Sequence, residues 1–484
     1  MKTTRMLMAW LITTLAVVTA ACSHKESEIL ESIPAGSDMI ARINCEDILE
    51  SAGFTRNGEK WEAGKVMSAL LDELSSKDRL EFEKYISATQ AIDASNVFVY
   101  NYEGDMYLTC ILTHPDQLAA ALEAEFGQPE RSNSFKVYRE NIMIRDNRLW
   151  IAEDVKHLTK VLEIAEKSPA TESKSVMATF ATDGSAMDIS LNPGKFFARN
   201  PYMRAMGIDI KELENSHISY KTTLAKNTMK IEAATYDEDG DKIPVGDLVT
   251  PIDASFIKFM PAHPALTFAF GKVTDEFMQA ILGDVPSMQR SIIEPYLMAV
   301  NGTFAISAAL PDDVGRFTDP AAWGVTVAVA YDESKAGEIL KMAAGLNGNG
   351  IIVSTLPDQL RLNFMGANMP DLFIAYKEGY LVASTRPVAG DHTGLKPGNF
   401  DKYYAAGTLS IPADGSFGKA VQLPFGVEGH MECENEVMYG FTEFTGSPYG
   451  FIESIISLVT DRTLQRHIVE AVAGSSADDY TEWE

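Results

Sequence analysis

Ile33-Pro34-Ala35-Gly36-Ser37, running into the apolar stretch Met39 to Ile43, has a counterpart in Met260-Pro261-Ala262-His263-Pro264, running into Ala265 to Phe270. The segments after the two openings keep the same order. The first opening leads to a short helical stretch, Glu46 to Ala52, and a longer one, Lys65 to Ser87, with Val66, Leu70, Leu74, Leu80 and Tyr85 near helical intervals. Strands are expected at Asn96 to Tyr102 and Met106 to Thr113, then a helix from Pro115 to Glu125, whose proline suits a first turn. Strands Phe135 to Tyr138 and Leu149 to Ala152 and a helix from Val155 to Ala165 complete the set. After the second opening the pattern predicts helices Asp275 to Leu282 and Ser287 to Leu297 and strands Gly302 to Ala308 and Gly324 to Ala330. Helix Glu333 to Ala344 and strands Gln359 to Phe364, Leu372 to Tyr376 and Tyr380 to Ser384 come next. Each half then ends in antiparallel strands: Ala186 to Leu191 and His217 to Thr235, against Ala406 to Ile411 and Gly429 to Phe444.

A repeated order of elements is the mark of an internal duplication. The expected fold is therefore α+β: two related domains from a tandem duplication, mainly antiparallel sheets with packed helices. The first repeat spans 33–240 and the second 255–445. Gly240, Pro244, Gly246 and Pro251 mark a linker over 241–254. A C-terminal amphipathic helix is expected within 446–473, with Ile452, Ile455, Ile456, Val459, Ile468 and Val472 on one stripe, before an acidic tail at 474–484.

The N-terminus reads as an export signal. Lys2 and Arg5 precede the apolar run Met6 to Val18, which is short for a membrane span. Thr19-Ala20-Ala21 and Cys22 come next, so residues 1–21 are expected to be removed and Cys22 to carry a lipid, with 22–32 as a polar tether. The Thr19-Ala20-Ala21-Cys22 stretch resembles the lipobox of bacterial lipoproteins, with Thr19 where Leu or Val is usual. The acidic residues after Cys22 resemble, loosely, a surface-export signal. The lipobox together with the Pro-Ala opening resembles a family of Bacteroidetes cell-envelope lipoproteins of unknown function. That resemblance implies an α+β lipoprotein of the cell envelope with no assigned reaction; the expected location is the outer membrane, surface-exposed or periplasm-facing.

Composition narrows the partners. The 484 residues carry a formal charge of −27, and losing Lys2 and Arg5 with the leader takes this to −29. So acidic a chain repels phosphate backbones, which argues against nucleic acid and against anionic headgroups, and leaves the lipid as the membrane contact. Beyond Cys22, Cys45, Cys110 and Cys433 each lie in or beside apolar runs and are expected as buried thiols, with one bridge among them left open.

No catalytic constellation stands out. Asp237-Glu238-Asp239-Gly240-Asp241 is the densest acidic cluster, and Asp237, Asp239 and Asp241 are weak metal candidates. A calcium loop would place its glycine later and close with a twelfth-position Glu, where Leu248 stands, so a solvated Asp-Gly turn is the better reading. The eight histidines include no HExxH motif and read as surface or capping residues. Ser255 and Lys258 have S-x-x-K spacing, but Ala254 to Phe259 reads as a strand that would put them on opposite faces. Gly446-Ser447-Pro448-Tyr449-Gly450 is not a nucleophile elbow, and Gly345 to Gly350 leaves a helix where a phosphate loop would enter one. Tyr403, Tyr404, Tyr439, Phe441, Phe444 and Tyr449 crowd the end of the second repeat, where strand alternation predicts about half in the core.

The expectation is a membrane-anchored, non-catalytic binding or assembly module with no cofactor and an envelope protein or glycan as partner. The rival is a hydrolase of envelope or dietary polymer using dispersed carboxylates, and a third reading is a cation-dependent module built on 237–241.

Overall fold

The structure, a computed structural model, describes residues 26–461 apart from 59, 133–134, 140, 182–183, 196–214, 262, 284–286, 312–321, 349, 366–368, 389–394 and 414–422. The leader, Cys22, the tether up to residue 25, Ala262 and everything after Asp461, the acidic tail included, lie outside the described residues. The fold is mixed α+β with antiparallel sheet throughout. The chain forms two compact units. The first comprises 1–204, 209–243 and 448–457, and the second takes the remainder.

The first unit holds β1 (Met39–Ile43), a hairpin of β2 (Phe54–Asn57) and β3 (Lys60–Ala63), β4 (Val97–Tyr102), β5 (Asp105–Ile111), β6 (Glu130–Ser132), β7 (Phe135–Tyr138), β8 (Ile142–Arg145), β9 (Arg148–Ala152), β10 (Met187–Leu191), β11 (His217–Ala225) and β12 (Thr228–Tyr236). Ten of these pair side by side in the order β6-β7-β8-β9-β5-β4-β1-β10-β11-β12. The unit also holds helices α1 (Glu26–Leu30), α2 (Cys45–Ser51), α3 (Lys65–Glu73), α4 (Ser76–Ala88), α5 (Pro115–Phe126), α6 (Val155–Ala165) and α7 (Lys174–Thr179), of which α3 and α4 pack with the β2–β3 hairpin. On one face Ile40, Phe98, Tyr100, Trp150 and Met143 pack with Ile29, Leu30, Leu158 and Phe180. On the other, Ile43, Val97, Cys110 and Leu149 pack with Leu118. Within the first face Arg42 and Asp188 form a buried ion pair from neighbouring strands.

The second unit holds β13 (Leu266–Phe270), β14 (Val300–Ala309), β15 (Gly324–Tyr331), β16 (Ile351–Leu356), β17 (Gln359–Phe364), β18 (Leu372–Lys377), β19 (Tyr380–Ser384), β20 (Ala405–Ile411), β21 (Gly426–Cys433) and β22 (Met438–Thr445). They pair in the order β16-β17-β18-β19-β15-β14-β13-β20-β21-β22. Strand for strand this is the order of the first unit. Helices α8 (Asp275–Gly283) and α9 (Ser287–Leu297) fall between β13 and β14, and α10 (Glu333–Ala344) between β15 and β16. One sheet face is built of small residues: Thr267, Ala269, Thr303, Ala305, Ser307, Ala328 and Ala406, all buried. Small side chains let Phe256, Phe259 and Phe400 lie close against the strands, with Phe256 and Phe400 edge to face at 5.2 Å. The opposite face carries the large apolar residues Leu266, Phe268, Phe270, Phe304, Ile306, Val327 and Val329, none of them fully buried.

Residues 244–254 are built into the second unit. Thr250 N donates to Lys272 O, Ile252 N to Tyr403 O and Asp253 N to Thr303 Oγ1. Helix α11 (Phe451–Thr460) contributes 451–457 to the first unit, where Ile452 and Ile456 close a cluster of Leu49, Phe54, Met67, Leu70 and Phe82.

Several expected elements change. Lys65 to Ser87 is two helices, α3 and α4, because Leu74 turns extended (φ −73, ψ 153) and ends the first. Ala254–Phe259 is a 3-10 helix and not a strand, since the Asp253 side chain accepts from Ser255 N and starts the turn. His217 is buried, not a surface residue.

Candidate functional site

The second unit contains a cavity of about 210 Å³ on the face that bears the large apolar residues. Its floor is one cross-strand row. Phe270 on β13 lies opposite Phe304 on β14, and Phe304 opposite Val329 on β15. The Phe270 and Phe304 rings stack with centroids 5.0 Å apart, which fixes the floor. Met278 from α8, Leu297 at the end of α9, and Met298 and Val300 beyond it form the walls. Gly271, Lys272, Val273 and Asp275 complete the lining, and Lys272 Nζ pairs with Asp275 Oδ1 at 2.6 Å. Gly271 is required by close approach, since a Cβ there would stand 1.6 Å from the Thr250 carbonyl oxygen. The wall is almost wholly apolar, so the cavity offers a water few of the partners it needs.

Helix α9 has no buried residue. Met288 is 73% exposed and Ile292 63%, and Ile293 and Leu297 are exposed as well. A polar clamp ties the helix to α8: Arg290 Nη2 donates to Gln279 Oε1 at 2.7 Å and Nε to Glu294 Oε2 at 2.9 Å, while Gln279 Nε2 donates to Glu294 Oε1. Tyr331 OH donates to Tyr296 O at 2.7 Å. These outward side chains give the helix an exposed apolar face.

The residues singled out in the sequence are distributed elsewhere. Cys22 lies outside the described residues. Asp237, Asp239 and Asp241 lie together on the turn after β12. Asp237 Oδ1 accepts from Asp239 N and Asp241 N, and Asp239 Oδ1 takes Lys174 Nζ at 2.8 Å, which holds its carboxyl below the usual range. Gly240 supplies the positive φ of +82° that the turn needs. Among the described residues no group of three or more His, Cys, Asp or Glu is arranged to hold a metal ion.

Cys45, Cys110 and Cys433 are buried and none is in a disulfide. Burial pushes the Cys110 thiol up to about 12, so it is unreactive. Ser255 and Lys258 do share a helical turn. Their side chains part company, however: Ser255 Oγ meets Tyr380 OH at 2.9 Å, while Lys258 Nζ pairs with Glu378. Of the aromatic group, Phe444 is core, edge to face with Phe425, whereas Tyr439 is exposed and Phe441 stacks under His430.

A serine–histidine contact exists in the first unit, where Ser175 Oγ is 2.7 Å from His217 Nδ1. Both residues are buried, and burial lowers the histidine to about 4. A neutral histidine sealed from substrate satisfies a core hydroxyl; it does not activate one.

No family model matches this chain, and neither does any curated protein. Among the described residues no helix is long and apolar enough to cross a membrane.

Proposed function

We propose that the chain is an envelope lipoprotein, held on the outer membrane through a lipid on Cys22, that binds an apolar group or partner without transforming it. One observation carries this reading: the second unit keeps an apolar cavity over the Phe270–Phe304–Val329 row, beside a helix whose apolar side chains face outward. Such a space leaves its lining short of contacts, which a bound apolar group would restore. The charge of −27 directs the partner away from polyanions. We read the two units as products of a tandem duplication, and the same ten-strand order in each supports this.

The test has two parts. Growth with an alkyne fatty acid labels the wild type, and Cys22→Ser loses the label. Cross-linking in intact cells, with detergent pull-down and mass spectrometry, recovers a reproducible envelope partner. Pull-downs from Met288→Asp/Ile292→Asp recover less of it. An unlabelled wild-type chain overturns the anchor, and a partner retained undiminished by the helix variant overturns the role of this face.

A further inference from the structure

We propose that the cavity takes a single hydrocarbon chain, the acyl tail of a lipid-like amphiphile. The inference rests on the binding reading above and names the ligand for that site. Scaled from an apolar cavity of about 150 Å³ that holds benzene, 210 Å³ accommodates roughly eight carbons. The lining supplies no set of polar groups to orient a sugar, nucleotide or peptide backbone, each of which would leave buried polar atoms unpaired. Two of the walls are methionines, Met278 and Met298, whose unbranched side chains adapt to a flexible chain.

The cavity also has an apolar exit. Leu297 lines it and is 38% exposed, and Ile293, one turn earlier on the same side of α9, is exposed too. A tail longer than the cavity continues over these two residues. The rim pair Lys272 and Asp275 marks where polar chemistry begins, so a headgroup stays outside. Helix α9 has no buried residue and is held by the Arg290–Gln279–Glu294 clamp and the Tyr331–Tyr296 hydrogen bond, so widening the opening beside it is among the less costly movements of the fold.

Decanoate in solution and phosphatidylcholine vesicles free of fatty acid distinguish a free acyl compound from a bilayer lipid. The full chain, made without its leader, is expected to bind decanoate at one saturable site by displacement of a fluorescent fatty acid. Met278→Trp and Val329→Phe, filling the cavity from opposite walls, are expected to weaken binding about tenfold or more. Met342→Ser, exposed on α10 and outside the lining, leaves binding within about twofold. Flotation with vesicles that the cavity variants abolish makes a bilayer lipid the source, and decanoate binding without flotation makes it a free acyl compound.

A photoactivatable decanoate gives a readout independent of how the variants fold, and is expected to mark peptides containing Met278 or Leu297–Met298. Marking elsewhere, binding unchanged in well-folded cavity variants, or no binding of either probe overturns the proposal. A partner recovered by pull-down with no acyl binding overturns this inference alone. Failure of both experiments overturns the binding reading with it.

Discussion

Acidification should weaken the first unit through His217. The ring is buried against Ser175, with the Lys195 ammonium adding to the cost of charging it, and its titration falls from 6.5 to about 4. A depressed histidine is neutral in the folded state over a range where the unfolded chain binds a proton. Its contribution is therefore fully present above about 6.5 and is lost as pH falls toward about 4. Across the whole window the loss is about 3 kcal/mol, and from pH about 7.5 to about 5 it is about 2 kcal/mol. Carboxylates titrate over the same range, so the comparison is between the wild type and His217→Asn. Urea unfolding, monitored through the buried Trp150 of the same unit, measures each at both pH values. The stability advantage of the wild type over the variant should shrink by about 2 kcal/mol on acidification. An advantage that stays constant between the two pH values refutes the argument that a buried, neutral imidazole sets this dependence.

Other variants test the packing. Arg42→Ala leaves Asp188 buried without its cation and should cost about 3–5 kcal/mol in urea unfolding, whereas Arg42→Met with Asp188→Leu should recover most of it; equal losses in both would show that the charge pair is not the cause. Gly271→Ala drives a methyl into the Thr250 carbonyl and should lower stability by about 1–3 kcal/mol, and a thermal midpoint like the wild type's would contradict the close approach. Ile456→Ala should destabilise the first unit by about 2–5 kcal/mol, read through Trp150, while leaving second-unit ligand binding intact.

Elements with local signals are legible in the sequence. Asp154 and Asp332 accept from the amides that open α6 and α10, and both helices fall where the pattern puts them. Short apolar runs bounded by turn residues, such as Phe135–Tyr138 and Tyr380–Ser384, are equally readable. The hairpin Phe54–Asn57 with Lys60–Ala63 is not, since it is mostly exposed and carries polar residues at positions of both faces. Ala254–Phe259 misleads because a six-residue run with four apolar side chains is too short for its spacing to separate strand from helix, while the Asp253 cap that makes it helical is a single polar residue before the run. The cavity has no signature of its own. Phe270, Phe304 and Val329 come from three separated strands, and only the pairing register sets them in a row. Acidic clusters and S-x-x-K spacing stand out because they are contiguous, but contiguity brings the first only a turn and the second two unrelated partners.

The return of 451–457 to the first unit has a consequence for the order of events during synthesis. The strands of that unit are complete once Tyr236 has been made, yet the cluster around Leu49, Phe54 and Met67 still waits for Ile452 and Ile456. At about 5–20 residues per second, the interval is roughly 10–40 s. Throughout that time the older half of the chain lacks its closing helix. Until residues 451–457 arrive, the first unit lacks the contacts of Ile452 and Ile456 and stays less stable, and more open to proteolysis, than its finished form.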